Sequence, residues 1–190
     1  KKTPLSEFKN LRKNGLIAIS LREGDELLKV KVTRGDADIV IVSERGNAIK
    51  FNEQDVRPMG RTAAGVKSMN LREDDIAVCM DIAVDDEDLL VISENGFGKR
   101  TPLVEYKRQN RGGVGLITYK ISEKTGKVVG ATVCKSEDEL MLINTSGVAI
   151  RINVSDVSVT SRATMGVRLM RTSDEEKIVA IAKISGRDVE

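Results

Sequence analysis

The residues of this chain with chemistry to offer are cations, and they recur at a regular spacing. Arg61, Arg111 and Arg162 stand at matching places, and Gly65, Gly115 and Gly166 follow them at the same interval. A guanidinium or ammonium makes charge-assisted hydrogen bonds to phosphate oxygens. A row of them binds a polyanion with an affinity that ignores sequence and falls steeply with salt. The candidates gathered around these landmarks are Lys50, Arg57, Arg61 and Lys67, then Lys99, Arg100, Lys107, Arg108, Arg111 and Lys120, and finally Arg151, Arg162 and Arg168. Other chemistry lacks reagents. With no histidine and no CxxC pair, a transition-metal site or a His-based triad is hard to build, so no catalytic residue, metal or cofactor is expected. Cys79 and Cys134 lie in apolar strand patterns and read as buried, reduced thiols. Thr125-Gly126-Lys127 lacks the context of a phosphate-cradling loop, Arg34-Gly35-Asp36 reads as a hairpin turn, and the carboxylates Asp85 to Asp88 as a solvated one.

The net charge of +2, from 31 Lys and Arg against 29 Asp and Glu, hides a segregation. Residues 46–72 hold Lys50, Arg57, Arg61, Lys67 and Arg72 against Glu53 and Asp55, whereas residues 73–94 hold Glu73, Asp74, Asp75, Asp81, Asp85, Asp86, Glu87, Asp88 and Glu94 with no cation. The basic half recurs in the next two repeats, and an acidic turn, Asp174-Glu175-Glu176, closes the last. Repetition turns such a pattern into geometry. Side by side, the basic halves form one stripe and the acidic turns another, and a curved cationic stripe suits duplex DNA.

The elements that must position these charges are strands. Gly46, Gly96 and Gly147 open equivalent segments roughly fifty residues apart. Apolar runs at 39–42, 48–51, 66–71 and 76–83 recur at 89–92, 97–101, 116–121 and 128–134, and again at 140–143, 148–152, 167–170 and 178–184. Their β-branched content, period-two alternation and glycine turns predict four strands per repeat, the count of a propeller blade. The best helical candidate, residues 103–109, is stopped by Gly112 and Gly113 and reads as a single turn. The expectation is an all-β chain forming one domain over 1–190, with repeats at 1–38 (partial), 39–88, 89–139 and 140–184 and a polar tail at 185–190. Aromatic residues make up 3% of the chain and tryptophan is absent, so the core must be aliphatic. No run approaches the roughly 20 apolar residues of a membrane helix, which excludes a helical span and suggests the cytoplasm. Lys1 to Leu5 match the second strand of a blade, which suggests that upstream blades are missing from a longer subunit.

These motifs carry a resemblance. Gly98-Lys99-Arg100-Thr101-Pro102-Leu103 with Glu105-Tyr106, and Gln109-Asn110-Arg111-Gly112-Gly113-Val114-Gly115, resemble the C-terminal domains of DNA gyrase A subunits. So do Gly60-Arg61-Thr62-Ala63-Ala64-Gly65-Val66, Arg162-Ala163-Thr164-Met165-Gly166-Val167, and Lys2-Thr3-Pro4-Leu5-Ser6-Glu7-Phe8 with Arg12-Lys13-Asn14-Gly15-Leu16. The resemblance implies a β-pinwheel whose blades exchange strands and whose basic rim wraps DNA, supporting ATP-dependent negative supercoiling by the whole enzyme. It implies as partners duplex DNA, the remainder of the A subunit and the B subunit in an A2B2 assembly. The ATPase and the cleaving tyrosine belong elsewhere in such an enzyme, and Tyr106 and Tyr119 read as packing residues. The family's box of glutamine, two arginines, two glycines, a basic residue and glycine is altered here. Asn110 replaces an arginine and Val114 the basic residue, so Gln109 to Gly115 reads as a degenerate echo of the box. The equivalent domain of topoisomerase IV and a protein-interaction propeller using the acidic turns remain as alternatives.

Overall fold

The computed structural model describes residues 1–10, 13–173 and 175–185 and is built almost wholly of antiparallel strands. Arg12, Asp174 and the end of the 185–190 tail lie outside the described residues. Eleven strands follow in order: β1 (Asp38–Ser43), β2 (Asn47–Asn52), β3 (Ala77–Ala83), β4 (Asp88–Ser93), β5 (Phe97–Pro102), β6 (Leu116–Ile117), β7 (Val128–Cys134), β8 (Glu139–Asn144), β9 (Ala149–Asn153), β10 (Val167–Arg168) and β11 (Ile178–Ile184). One-turn 3-10 helices sit at Leu5–Phe8, Glu53–Asp55, Leu103–Glu105 and Val154–Asp156. The helical candidate at 103–109 is thus the single turn that its glycines allow.

Three sheets result, and two of them are completed by the next repeat. Their orders are β3-β1-β2-β6, β10-β5-β4-β7 and β11-β8-β9. The short strand β6 pairs with β2 through Asn47 opposite Ile117, and β10 pairs with β5 through Gly98 opposite Val167. The exchange of strands that the resemblance implied is therefore present at both junctions. The strands expected at 116–121 and 167–170 shrink to two residues each, because only their first residues lie beside the neighbouring edge. The run at 66–71 forms no strand at all, and neither does the segment 16–34, where Ile17, Val30 and Val32 are exposed.

Glycine makes this exchange sterically possible. Gly96 turns the chain between β4 and β5 at φ +78, and its carbonyl accepts from the N–H groups of Leu169 and Met170 at 2.8 and 3.2 Å. A Cβ there would overlap the Met170 carbonyl oxygen. Gly46, at φ +81, repeats the arrangement, accepting from Thr118 and Tyr119 at 2.8 and 3.0 Å.

Central strands are buried on both faces, so alternate residues serve different junctions. Leu89 and Val91 join Val40, Val42, Tyr106, Tyr119 and Val128 in one cluster, whereas Leu90 and Ile92 join Leu140, Leu142, Val154 and Ile178 in another. The core is aliphatic, as composition required, with Tyr106 and Tyr119 wholly enclosed and burial pushing the Tyr119 phenol up to about 12. Cys79 and Cys134 are free, buried thiols, each pushed up to about 12, chiefly by burial. The third strands β3, β7 and β11 pack successively against one another. This line of contact marks the inner side of the array and puts β6 and β10 at the opposite, outer edges. No described helix is long and apolar enough to cross a membrane.

Candidate nucleic-acid interface

Each outer edge is covered by an arm of chain from the following repeat, and these arms carry the recurring arginines. The same backbone hydrogen bond docks all three. Met59 donates to the Lys2 carbonyl, Gln109 to Lys50 and Thr160 to Arg100, each at 2.8 Å. A parallel bridge accompanies each bond, pairing Lys2 with Pro58, Lys50 with Arg108 and Arg100 with Val159. Arg57 and Lys107, and likewise Arg61, Arg111 and Arg162, therefore occupy equivalent rim positions in successive blades.

The recurring arginine does more than face solvent. Arg111 donates through Nε to the Asp55 carbonyl at 3.0 Å and through Nη1 to the Lys67 carbonyl at 2.9 Å. Arg61 makes the equivalent bond to the Ile17 carbonyl at 3.0 Å. The side chain of one arm thus fastens the arm before it. Carbonyl oxygens carry no net charge, so both guanidiniums keep their full positive charge at the rim and retain N–H groups for a phosphate. Arg162 is half-buried in the third arm, where its N–H donates to Glu105 at 3.3 Å.

Other candidates divide clearly. Arg57, Lys107 and Lys120 are exposed, with no ion-pair partner among the described residues. Lys67 is exposed beside Asn70 at 3.4 Å, and exposed Arg168 lies 4.9 Å from the centre of the Phe97 ring. Arg108 is exposed but ion-paired with Asp38 at 3.0 Å, and exposed Arg151 with Glu139. In the box-like loop, Gly112 and Gly115 take φ of +83 and +75, Asn110, Gly113 and Val114 are exposed, and Gln109 makes the docking bond.

Lys50, Lys99 and Arg100 are not surface cations, which corrects the sequence reading. Lys50 donates to the Leu103 carbonyl at 3.1 Å and pairs with Asp85 at 2.9 Å. Arg100 donates to the Val157 carbonyl at 2.9 Å and pairs with Asp88 at 3.1 Å. Lys2 makes the corresponding bond to the Glu53 carbonyl at 2.9 Å. In each case a cation on the second strand grips carbonyls around the next repeat's 3-10 turn. The reason for burial is that the following arm covers this strand, which no single repeat reveals. These latches also draw on Asp85 and Asp88, which neutralise buried cations, while Glu73, Asp74 and Asp86 stay exposed in the acidic turns.

Lys99 lies wholly inside, one residue before Arg100. Its ammonium donates to the Ser161 carbonyl at 2.7 Å and to that of Arg162. Lys1, at the equivalent place, holds the carbonyls of Gly60 at 2.9 Å, Ala63 at 3.0 Å and Arg61. Sequence reasoning missed Lys1, Lys2 and Lys124, the last lying 5.2 Å from the Phe97 ring centre. Aligning Lys1 with Lys99, and Lys2 with Lys50 and Arg100, was the available signal.

Two buried carboxylates secure the segment before β1. Glu53 accepts from Ala37 at 2.8 Å, Gly35 at 3.0 Å and Thr33 at 2.9 Å, and Asp81 pairs with Lys31 at 2.7 Å while accepting from the Val133 N–H at 3.2 Å. Burial alone would raise both carboxyls, but these donors outweigh it and hold each below its ordinary value.

The comparisons agree with this geometry. The family described as DNA gyrase C-terminal domain, beta-propeller, matches residues 1–34, 37–78, 87–135 and 138–185. The DNA gyrase A protein of Clostridium acetobutylicum is 66% identical over 190 residues, covering 100% of this chain and 23% of that protein. The protein of the same name from Staphylococcus aureus is 45% identical over 186 residues, covering 97% of this chain and 21% of its own length. The chain thus spans under a quarter of these relatives. Among solved structures, a DNA gyrase A C-terminal domain superposes with TM-score 0.82 at 31% identity, over 90% of this chain and 59% of that one. The C-terminal domain of a DNA topoisomerase IV superposes with TM-score 0.92 at 26% identity, over 98% and 58%.

Proposed function

Because the chain belongs to the DNA gyrase C-terminal domain, beta-propeller family, we propose that it binds and wraps duplex DNA along its outer edge, as part of a gyrase A protein. The observation that carries this reading is the recurrence of one arm on three successive outer edges, each presenting cations at equivalent places. Arg57 with Arg61, Lys107 with Arg111, and Arg162 with Arg168 form successive stations for the phosphate backbone. Bending a site of 20 to 30 base pairs by 40 to 90° costs on the order of 1 to 6 kcal/mol, so contacts must be distributed along the curve. Stations on consecutive blades meet that demand. The sequence offers no base-reading motif beside them, and recognition would rest on backbone charge and DNA deformability.

In the whole enzyme, wrapping would present DNA to the cleavage core and support ATP-dependent negative supercoiling, with the rest of the A subunit and the B subunit as partners and the cytoplasm as the site of action. Catalytic groups would then lie outside this chain, and no cofactor is assigned to it. Identity of 66% with a gyrase A protein favours gyrase over topoisomerase IV. The interaction-propeller reading would use the acidic turns, of which Asp85 and Asp88 are paired with Lys50 and Arg100 while Glu73, Asp74 and Asp86 remain exposed.

The test is binding to a linear duplex of about 150 base pairs across a salt series, with ligation and linking-number analysis to report wrapping. Binding with a steep salt slope is expected. Arg57→Glu with Lys107→Glu should weaken it and reduce the slope by about 2, roughly one for each lost phosphate contact. A slope unchanged by that pair would remove the arms from the DNA path.

A further inference from the structure

The three arms are docked alike but supported differently from beneath. Under the turn at residues 161–162 lies the Lys99 ammonium, and under residues 60–63 lies that of Lys1. Under the middle arm the equivalent residue is Ile49, wholly buried, with its Cδ1 beside Gly113. The middle turn thus rests on a hydrocarbon, while its neighbours rest on a charge that converges carbonyl oxygens onto one point. The turn held by Lys99 contains Arg162 and leads directly into β10, which carries Arg168.

We propose that Lys99 is a positioning residue for DNA binding, its buried ammonium holding the 161–162 turn so that Arg162 and Arg168 are presented at the rim. The inference rests on the DNA-wrapping reading and deepens it. Lys99 touches no DNA; it acts through the carbonyls it gathers. The charged groups facing it are Glu105, from the 3-10 turn at Leu103–Glu105, and Arg162 itself. Burial is the largest influence and lowers the ammonium to about 8, Glu105 opposing the shift and Arg162 adding to it. Tyr106, near the same two charges, is raised by burial and stays protonated in this range. Deprotonation leaves a neutral amine, a weaker donor to two carbonyls, so this arm loosens as pH rises through about 8 while the middle arm does not.

The first experiment needs no variant. Hydrogen exchange of the chain at pH 7 and pH 9, corrected for the intrinsic rate, should show amides 160–164 losing protection relative to amides 110–113 in the same molecule. Equal behaviour of the two arms overturns the proposal. The second measures duplex affinity at fixed salt for the wild type and Lys99→Met, which retains the buried stem without the ammonium. The variant should bind about three- to tenfold more weakly at pH 7, and the gap should close by pH 9. The Lys1 side-chain ammonium, whose value burial also lowers, titrates in both proteins and cancels in the comparison. Equal affinity at pH 7, or a gap unchanged at pH 9, removes Lys99 from this role and leaves the DNA reading intact. If the wild type fails to bind duplex at all, the DNA reading falls and this inference with it.

Discussion

Arg100 and Arg151 hold the same place on the second strands of successive repeats, β5 and β9, yet one is inside the protein and the other outside. The Arg100 side chain is 7% exposed and divides its donors among Asp88, Ser136 and the carbonyls of Val157 and Ser155. That of Arg151 is 48% exposed and is paired with Glu139 of its own sheet. The strands differ in what lies beside them. β5 is covered by β10 and the arm before it, whereas β9 has β8 as its one strand partner among the described residues. A cation in this family of repeats is therefore structural or superficial according to whether a later repeat lies over it, not according to its own sequence neighbourhood.

The strongest way to break this comparison is to remove both side chains in turn. Arg100→Ala should lower unfolding free energy by about 3 to 5 kcal/mol, because it strands a half-buried Asp88 and the carbonyls that the guanidinium served. Arg151→Ala should change it by no more than about 1 kcal/mol, the usual worth of an exposed pair. Urea unfolding of the two variants measures the difference, and equal losses would refute the idea that the overlying arm sets their roles.

Glycines sharpen the same contrast with a smaller effect. Gly96 and Gly147 share nearly the same φ, +78 and +77, but Gly96 lies under the Met170 carbonyl while Gly147 faces open space. Gly147→Ala should cost about 1 to 2 kcal/mol, for the left-handed backbone alone. Gly96→Ala should cost more than about 2 kcal/mol, since β10 must also move aside. Matching losses would mean that β10 yields freely.

The smallest effect is acid sensitivity. Asp81 lies between the inner strands, where its donors hold its carboxyl below the ordinary value against the effect of burial. A carboxyl lowered in the folded state contributes stability that is complete above the unfolded value and disappears as pH falls through the folded one. Asp81→Asn should therefore be destabilised on the order of 1 kcal/mol near neutrality, with the difference vanishing as the wild type is acidified below the ordinary aspartate range. Glu176 is also lowered, first by the Ser146 hydroxyl at 2.7 Å, but it is only half-buried, in the open last repeat. Glu176→Gln should move the acid limb of a Tm-against-pH curve less than Asp81→Asn does.

Much of the fold was legible because a strand advertises itself locally. The 128–134 run became β7 with the expected bounds, and the alternation from Ala149 to Asn153 became β9. What local pattern could not supply was the partner of each strand. Leu116 and Ile117 look like the start of a longer strand because nothing near them states that their partners are Asn47 and Ala48. The same blindness produced the misassigned cations. Lys50 and Arg100 read as exposed because charge is usually solvated, and the groups that bury them arrive about fifty residues later. The rim was easier to read, since Arg61, Arg111 and Arg162 recur by themselves, though their second use as fasteners between arms depends on carbonyls with no side-chain signature.

The exchange of β6 and β10 also has a consequence for synthesis. On a ribosome the sheet holding β1, β2 and β3 has all its own strands once Ala83 has emerged, but its outer edge stays open until Leu116 follows. At about 5 to 20 residues per second, that interval lasts on the order of seconds, far longer than the microseconds in which a hairpin forms. Each of the two completed sheets thus waits, largely built, with one edge unclaimed until the strand of the next repeat is made. Maturation of the array proceeds like a zip drawn toward the C-terminus, and a pause in translation between the β3 and β6 codons would expose for longest the edge that only β6 can cover.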